Sequence, residues 1–320
     1  MSNQPIVVIP SDDPPQCLGS PRLNKLRRVA EVRLYDSRAI GFDEKIKRAA
    51  GASAIINSRG YVKWGEREFD LLPDLKFITV CGIGTDSIDL ISAKKRGILV
   101  SNIPGQTATV VAEHAFGLMM AAAKRVSYYT ENLKAGKWVS QMGVFLQKKT
   151  IGIIGTGNIG AEMARLCNAF GMNVLAWTFN PSADRAHTLG VTYVGLDELL
   201  SKSDVVSIHV ALTRDTLGLI GSKEMQLMKT GSILVNTARG PIVDESALIE
   251  SLQSGKLSTG ALDVFAEEPL PQNSRLLKCD HLILTPHVAD MTPEGFDMLN
   301  QGVVDNVLSF LSGQPRNVVN

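Results

Sequence analysis

The chain has 320 residues, more than one core usually supports, so two domains of roughly 100–200 residues each are expected. A hydrophobic content of 44% with 20% charged residues excludes a disordered chain and fits a soluble globular one. The formal charge of +1, with bases scattered among acids, excludes the basic footprint of a nucleic-acid binder.

Taken in chain order, apolar runs of strand length alternate with segments of helical period, the rhythm of a parallel α/β sheet. The first set is "PIVVIP", "EVRLY", "ASAIIN", "LKFITVCG" and "GILVSN". A segment rich in alanine and methionine, Thr107 to Trp138, reads as one extended linking helix, with His114 packed between domains and the pair Tyr128 and Tyr129 in an interface or the core. After it come "TIGIIG", "NVLAW", "DVVSIHV", "SILVNT", "TGALDVF" and "HLILTPH", separated by helical stretches such as "NIGAEMARLCNAFG", "LDELLSKS", "SKEMQLMKT" and "DESALIESLQSGK". The last helical stretch, "PEGFDMLNQGVVDNVLSFLSG", falls outside this second rhythm and is expected to return to the first domain. Two doubly wound parallel sheets follow from this pattern. No run approaches the ~20 apolar residues of a membrane span, and no secretory signal opens the chain, so neither a membrane partner nor export is expected and the location is read as cytoplasmic. Cys17, Cys81, Cys167 and Cys279 lie far apart and off ligand spacing to the histidines, so disulfides and a bound metal are not expected.

Between the run "TIGIIG" and the helical "NIGAEMARLCNAFG" lie Gly155, Gly157 and Gly160 at the spacing G-x-G-x-x-G. At a strand-to-helix turn the first glycine permits the turn, the second admits a pyrophosphate to the backbone, and the third lets helix and sheet close up. The fingerprint expects an acid for the ribose hydroxyls at the end of the next strand, where this chain has Thr178. NADP is therefore permitted as well as NAD. No base adjoins Thr178 and Arg185 follows only later, so NAD is slightly favoured and the preference stays open.

Chemistry in such sheets sits at the carboxyl ends of the strands. Arg239 in "VNTARG", Glu268 in "DVFAEEP" and His287 in "LTPH" fall there. An arginine can clamp the carboxylate of a 2-oxo acid and polarise its carbonyl. A histidine, titrating near neutrality, can deliver or remove the hydroxyl proton. A carboxylate beside it holds the ring and favours its protonated form. His209, at a strand end, is read as structural.

The motifs "GIIGTGNIG", "LVNTARGPIVDESAL", "GALDVFAEEPLP" and "LTPHVA", in this order, resemble the D-isomer-specific 2-hydroxyacid dehydrogenases, which include phosphoglycerate and glyoxylate/hydroxypyruvate reductases. The resemblance implies a Rossmann-like NAD(P)-binding domain, residues 102–289, inserted in a flavodoxin-like substrate domain, residues 1–101 and 290–320. It implies Arg239, Glu268 and His287 as catalytic residues. The substrate carboxylate would meet the amides of Ile83 and Gly84. Cofactor contacts would come from Gly155, Gly157, Asn158, Ile159, Gly160, Thr178, Val210, Ala211 and Thr216, with Thr237, Ala238 and Asp263 near the nicotinamide. Three positions depart from the family pattern: Thr178 replaces an acid, Ala211 a proline and Asp290 a small residue. A homodimer through the linking helix, with "HAFGLMMAAA" buried against the partner, is also implied. The expected activity is hydride transfer between a nicotinamide and a D-2-hydroxy acid or 2-oxo acid. The competing reading is a dinucleotide-sensing binding protein or corepressor on the same fold.

Overall fold

Each of the apolar runs becomes a parallel strand in the computed structural model, which describes residues 4–60 and 62–320. The first sheet holds β1 (Ile6–Ile9), β2 (Glu31–Leu34), β3 (Ala54–Asn57), β4 (Phe77–Val80) and β5 (Leu99–Ser101). Their order is β2-β1-β3-β4-β5, the flavodoxin-like winding. The central strands carry no polar alternation because both faces are covered. Val8, Ile55 and Ile78 face a core with Trp64, while Val7, Ile9, Ala54, Ile56 and Phe77 face Leu299, Val303, Val304 and Val307 of the last helix, Pro293–Leu311. That helix starts where a helix should: Thr292 Oγ1 accepts the Gly295 N–H at 2.9 Å and Pro293 occupies the first turn.

The second sheet holds β6 (Thr150–Ile154), β7 (Asn173–Trp177), β8 (Thr192–Tyr193), β9 (Val205–Ile208), β10 (Ser232–Asn236), β11 (Leu257–Leu262) and β12 (Leu282–Leu284). Its order is β12-β11-β10-β9-β6-β7-β8, the dinucleotide-fold order extended by one parallel strand. The two-residue β8 had no separate signal in the sequence. The order reverses between β6 and β9, and open sheets of this kind bind ligands at that switch point, beyond the strands' carboxyl ends. By contacts the chain divides into two compact units, one running up to Thr107 and resumed at Met291–Asn320, the other Ala108–Asp290.

The expected single helix from Thr107 to Trp138 is instead two, Ala108–Ala123 and Val126–Lys134. Arg125 between them takes the left-handed conformation, φ 54°. The cause is a returning segment: the Val144 N–H donates to Ala123 O at 2.8 Å, and Lys124 Nζ donates to Val144 O at 2.9 Å, so the first helix's end is satisfied from outside. Part of "HAFGLMMAAA" packs within its own unit. Ala115, Leu118, Met119, Ala122 and Ala123 are buried in the core of their own unit with Ile151, Met163 and Val235. Tyr128 and Tyr129 stack edge to face, 5.7 Å apart, and Tyr128 Oη accepts the Gln141 side-chain amide at 2.9 Å.

Candidate active site

Arg239, Glu268 and His287 follow β10, β11 and β12, three neighbouring strands of one sheet, so their loops leave the sheet side by side. Two features draw the loops together. Gly240 leaves no room for a side chain, since a Cβ there would stand 1.9 Å from the Phe265 carbonyl carbon. The backbone beyond Arg239 therefore touches the Phe265–Ala266 backbone, close to Glu268. Asn236 then shapes the turn: its Nδ2 donates to Arg239 O at 3.0 Å and its Oδ1 accepts the Ala238 N–H at 3.0 Å.

His287 Nδ1 lies 2.6 Å from Glu268 Oε2, and Glu268 Oε1 accepts the Phe265 N–H at 3.0 Å. Burial pushes the Glu268 carboxyl up, but the hydrogen bond and charge of His287, the Phe265 N–H and the charge of Arg239 outweigh it, and the group lies below the ordinary carboxylate range. Glu268 is thus the ionised acceptor, and Nδ1 of His287 carries the hydrogen between them. The histidine itself is held at φ 54°, a conformation that costs a non-glycine residue on the order of 1–3 kcal/mol. Its N–H donates to Asp263 O at 2.8 Å and Thr285 O at 3.0 Å.

Asp263 is the brace of this loop. Its carboxylate is fully buried; Oδ1 accepts Thr285 Oγ1 at 2.6 Å and the Val288 N–H at 2.9 Å, and Oδ2 accepts the Ala289 N–H at 3.0 Å. His114 Nε2 stands 3.2 Å from Thr285 Oγ1 and 3.5 Å from Asp263 Oδ1. Burial pushes the Asp263 carboxyl up, and the bonds from His114, Thr285 and Val288 more than reverse it. The Asp263 carboxylate thus has no exposed surface, and both its oxygens bond the loop. His114, read from the sequence as packed between domains, serves within its own unit. The pairing of Thr285 with His114 escaped the motif reading because they are 171 residues apart.

At the glycine turn each position behaves differently. Gly155, at φ 94°, allows no Cβ, which would come within 2.7 Å of Val210 Cγ1. Gly160 allows none either, with Gly155 O at 1.9 Å. At Gly157 a Cβ would meet nothing within 4 Å. Gly157 N-caps the helix Asn158–Ala169, and no side chain caps that start among the described residues. Asn158 is exposed and Ile159 half-buried there. Thr237 Oγ1, on the loop after β10, is buried without a hydrogen-bond partner. An open backbone at Gly157, an uncapped helix start and an orphaned hydroxyl further along the same sheet edge fit a dinucleotide laid from β6 towards β11. Those strands are three steps, about 14 Å, apart.

The remaining expected contacts divide. Thr178 is half-buried directly after β7, and Ala238 is half-buried beside Thr237. Ala211 is exposed, but Thr216 is buried; its Oγ1 donates to Ala211 O at 2.6 Å and accepts the Thr213 N–H at 2.7 Å. It braces the Ala211–Thr216 loop. His209 bonds Ser207 Oγ through Nε2 at 2.8 Å. Ile83 and Gly84 lie in the other unit, after β4, where Ile83 O accepts the Asn102 side-chain amide at 2.8 Å. Among the described residues no His, Cys, Asp and Glu group could hold a metal ion, and no helix is long and apolar enough to cross a membrane.

Residues 116–289 match the family model "D-isomer specific 2-hydroxyacid dehydrogenase, NAD binding domain". The chain is 41% identical over 283 residues to a D-3-phosphoglycerate dehydrogenase of Archaeoglobus fulgidus, covering 87% of this chain but 53% of that protein, so it spans about half of that relative's length. It is 39% identical to a glyoxylate reductase of Korarchaeum cryptofilum, covering 79% of this chain and 78% of that one. The crystal structure of D-lactate dehydrogenase from Aquifex aeolicus, complexed with NAD and lactic acid, matches with a TM-score of 0.84 at 31% identity, over 97% of this chain and 96% of that one.

Proposed function

This chain belongs to the D-isomer specific 2-hydroxyacid dehydrogenase family, and from that premise we propose that it moves a hydride between a nicotinamide dinucleotide and C2 of a small 2-hydroxy or 2-oxo acid. The observation that carries the reading is the 2.6 Å pair of His287 Nδ1 and Glu268 Oε2, with Arg239 on the adjoining loop. When bound, the dinucleotide supplies or accepts the hydride at nicotinamide C4.

The chain's own groups do the rest. Arg239 binds the substrate carboxylate and polarises the carbonyl oxygen, a role its planar fork suits. With Nδ1 committed to Glu268, Nε2 of His287 gives its proton to the substrate oxygen during reduction and takes it back during oxidation. Glu268, ionised by its surroundings, steadies the charged ring when it carries both protons. Asn158 and Ile159 offer backbone N–H groups to the pyrophosphate, and Thr237 offers its hydroxyl towards the nicotinamide end.

For assembly we propose a homodimer through segment 126–145, where Trp138 is 90% exposed and Met142 92%. Apolar side chains this exposed on one segment fit burial against a second copy.

The test of the chemistry is isotopic. Reduction of a 2-oxo acid with reduced dinucleotide carrying deuterium at both C4 positions should place deuterium at C2 of a product of D configuration; an L product, or deuterium absent from C2, would refute it.

A further inference from the structure

Two of the four cysteines, far apart in the sequence, meet in the first unit. Cys17 lies on the loop after β1 and Cys81 directly after β4, at the carboxyl edge where an open sheet of this winding takes its ligands. The loop carrying Cys17 is pinned from within. Asp12 Oδ2 accepts the Cys17 N–H at 2.9 Å and the Leu18 N–H at 2.7 Å, and Asp12 Oδ1 accepts the Ser58 hydroxyl at 2.7 Å. Asn300 holds the loop from the last helix, its Nδ2 donating to Gln16 O at 2.9 Å and its Oδ1 standing 3.4 Å from Cys17 Sγ. Cys81 is fixed by its own N–H, which donates to Asn57 O at 3.1 Å. The two side chains pack in one core cluster, with their sulfurs within hydrogen-bonding reach of each other.

The pair is asymmetric. Cys17 is fully buried, and the neighbouring Cys81, burial itself and the charge of Asp12 push its thiol well above the ordinary range, so it keeps its proton. Cys81 is half-buried and reaches solvent. An accessible sulfur beside a sheltered one suits a division of labour, in which the first meets an oxidant and the second resolves the product. The other two cysteines serve as internal references. Burial pushes the Cys167 thiol up to about 12, and Cys279, half-buried like Cys81, lies with Cys167 in the other unit.

We propose that Cys17 and Cys81 form a redox pair that a hydroperoxide closes into a reversible disulfide, and that the closed form turns over 2-oxo acids poorly. The Cys81 sulfur takes one oxygen from the hydroperoxide; the O–O bond breaks, water or an alcohol leaves, and a sulfenic acid remains. The Cys17 sulfur then attacks that sulfur. The S–S bond forms, the S–O bond breaks, and the oxygen departs as water with the Cys17 proton, so two thiols are oxidised and one peroxide is reduced. Bonding draws the sulfurs to about 2 Å and shifts the backbone at Cys81. That backbone continues through Gly82, whose carbonyl accepts the Ile103 N–H at 2.8 Å, into Ile83 and Gly84, whose amides are expected to meet the substrate carboxylate. The effect on turnover rests on the functional reading above; the bridge itself does not.

The test treats the reduced full chain with hydrogen peroxide, removes the peroxide, and follows peptide mass, turnover and dinucleotide binding together. Mass mapping should find Cys17 joined to Cys81 while Cys167 stays a thiol. Turnover should fall by about 10²-fold, the scale on which a misplacement of about 1 Å acts, with calorimetric NADH binding unchanged and full recovery in dithiothreitol. Cys17→Ser keeps a hydroxyl for Asn300 and should retain basal turnover while losing both the bridge and the reversible inhibition. Cys81→Ser, at a half-buried position, should lose them too and decides the matter if the buried replacement unfolds the chain. Cys81 carried to a sulfinic acid while Cys17 stays a thiol overturns the pair. A bridge that leaves turnover unchanged, or inhibition that persists in both serine variants, overturns the switch. A reduced chain inactive on every 2-oxo acid overturns the functional reading and the turnover effect together, and the mapped bridge still decides the pair.

Discussion

Nδ1 of His287 and Oε2 of Glu268 are 2.6 Å apart on loops that follow adjacent strands, and the carboxylate is held below its ordinary range by that contact and by its neighbours. Replacing Glu268 by Gln keeps the shape and removes the charge. Turnover in the direction of 2-oxo acid reduction should fall by about 10²–10⁴-fold, the range for a group that supports proton transfer. Rates measured across pH for both proteins check this, and superimposable profiles would refute the role of Glu268.

Asp263 should matter to stability as well as rate. Asp263→Ala strands the Val288 and Ala289 N–H groups and the Thr285 hydroxyl in a buried site, a loss of about 3–5 kcal/mol. Denaturant unfolding reads this directly. His114→Ala touches the same network at one edge and should cost less.

The glycines separate folding from binding. Gly157→Ala places a methyl in open space at φ −64° and should leave the melting temperature nearly unchanged while weakening dinucleotide binding. Gly160→Ala drives a methyl to 1.9 Å from Gly155 O and should destabilise the chain by at least the ~1–3 kcal/mol of ordinary overpacking. Thermal melts beside cofactor titrations distinguish the two; equal melting temperatures for both variants would contradict the packing account.

His209 sets a pH dependence. Burial pushes its pKa down to about 4, well below the ordinary value near 6.5, so the unfolded chain binds its proton first as the pH falls. Its contribution to stability is complete above about pH 6.5 and is lost as the pH drops towards 4. Melting temperatures of the unaltered chain and of His209→Gln should therefore converge in acid. A gap independent of pH would contradict a neutral ring at His209 in the folded chain.

Much of this was readable from the sequence because the relevant signals are local. The buried strands announce themselves as unbroken apolar runs, and the glycine turn and the Arg239, Glu268 and His287 motifs each span a few residues. What escaped is long-range. Nothing near Ala123 says that Val144 will return to cap it and end the helix. Nothing near Asp263 says that Thr285, Val288 and Ala289 will bond its oxygens.

The central claim is the hydride transfer itself, and the direct measurement is the oxidation of NADH and NADPH, in parallel, with glyoxylate, hydroxypyruvate, pyruvate, a branched-chain 2-oxo acid and 3-phosphohydroxypyruvate, using the unaltered chain and His287→Ala. The account predicts turnover with at least one of these acids and its loss, by about 10²–10⁴-fold, in the variant, with cofactor affinity little changed. Tight dinucleotide binding without turnover on any of them, or a His287→Ala variant as active as its parent, would contradict it and favour a dinucleotide sensor.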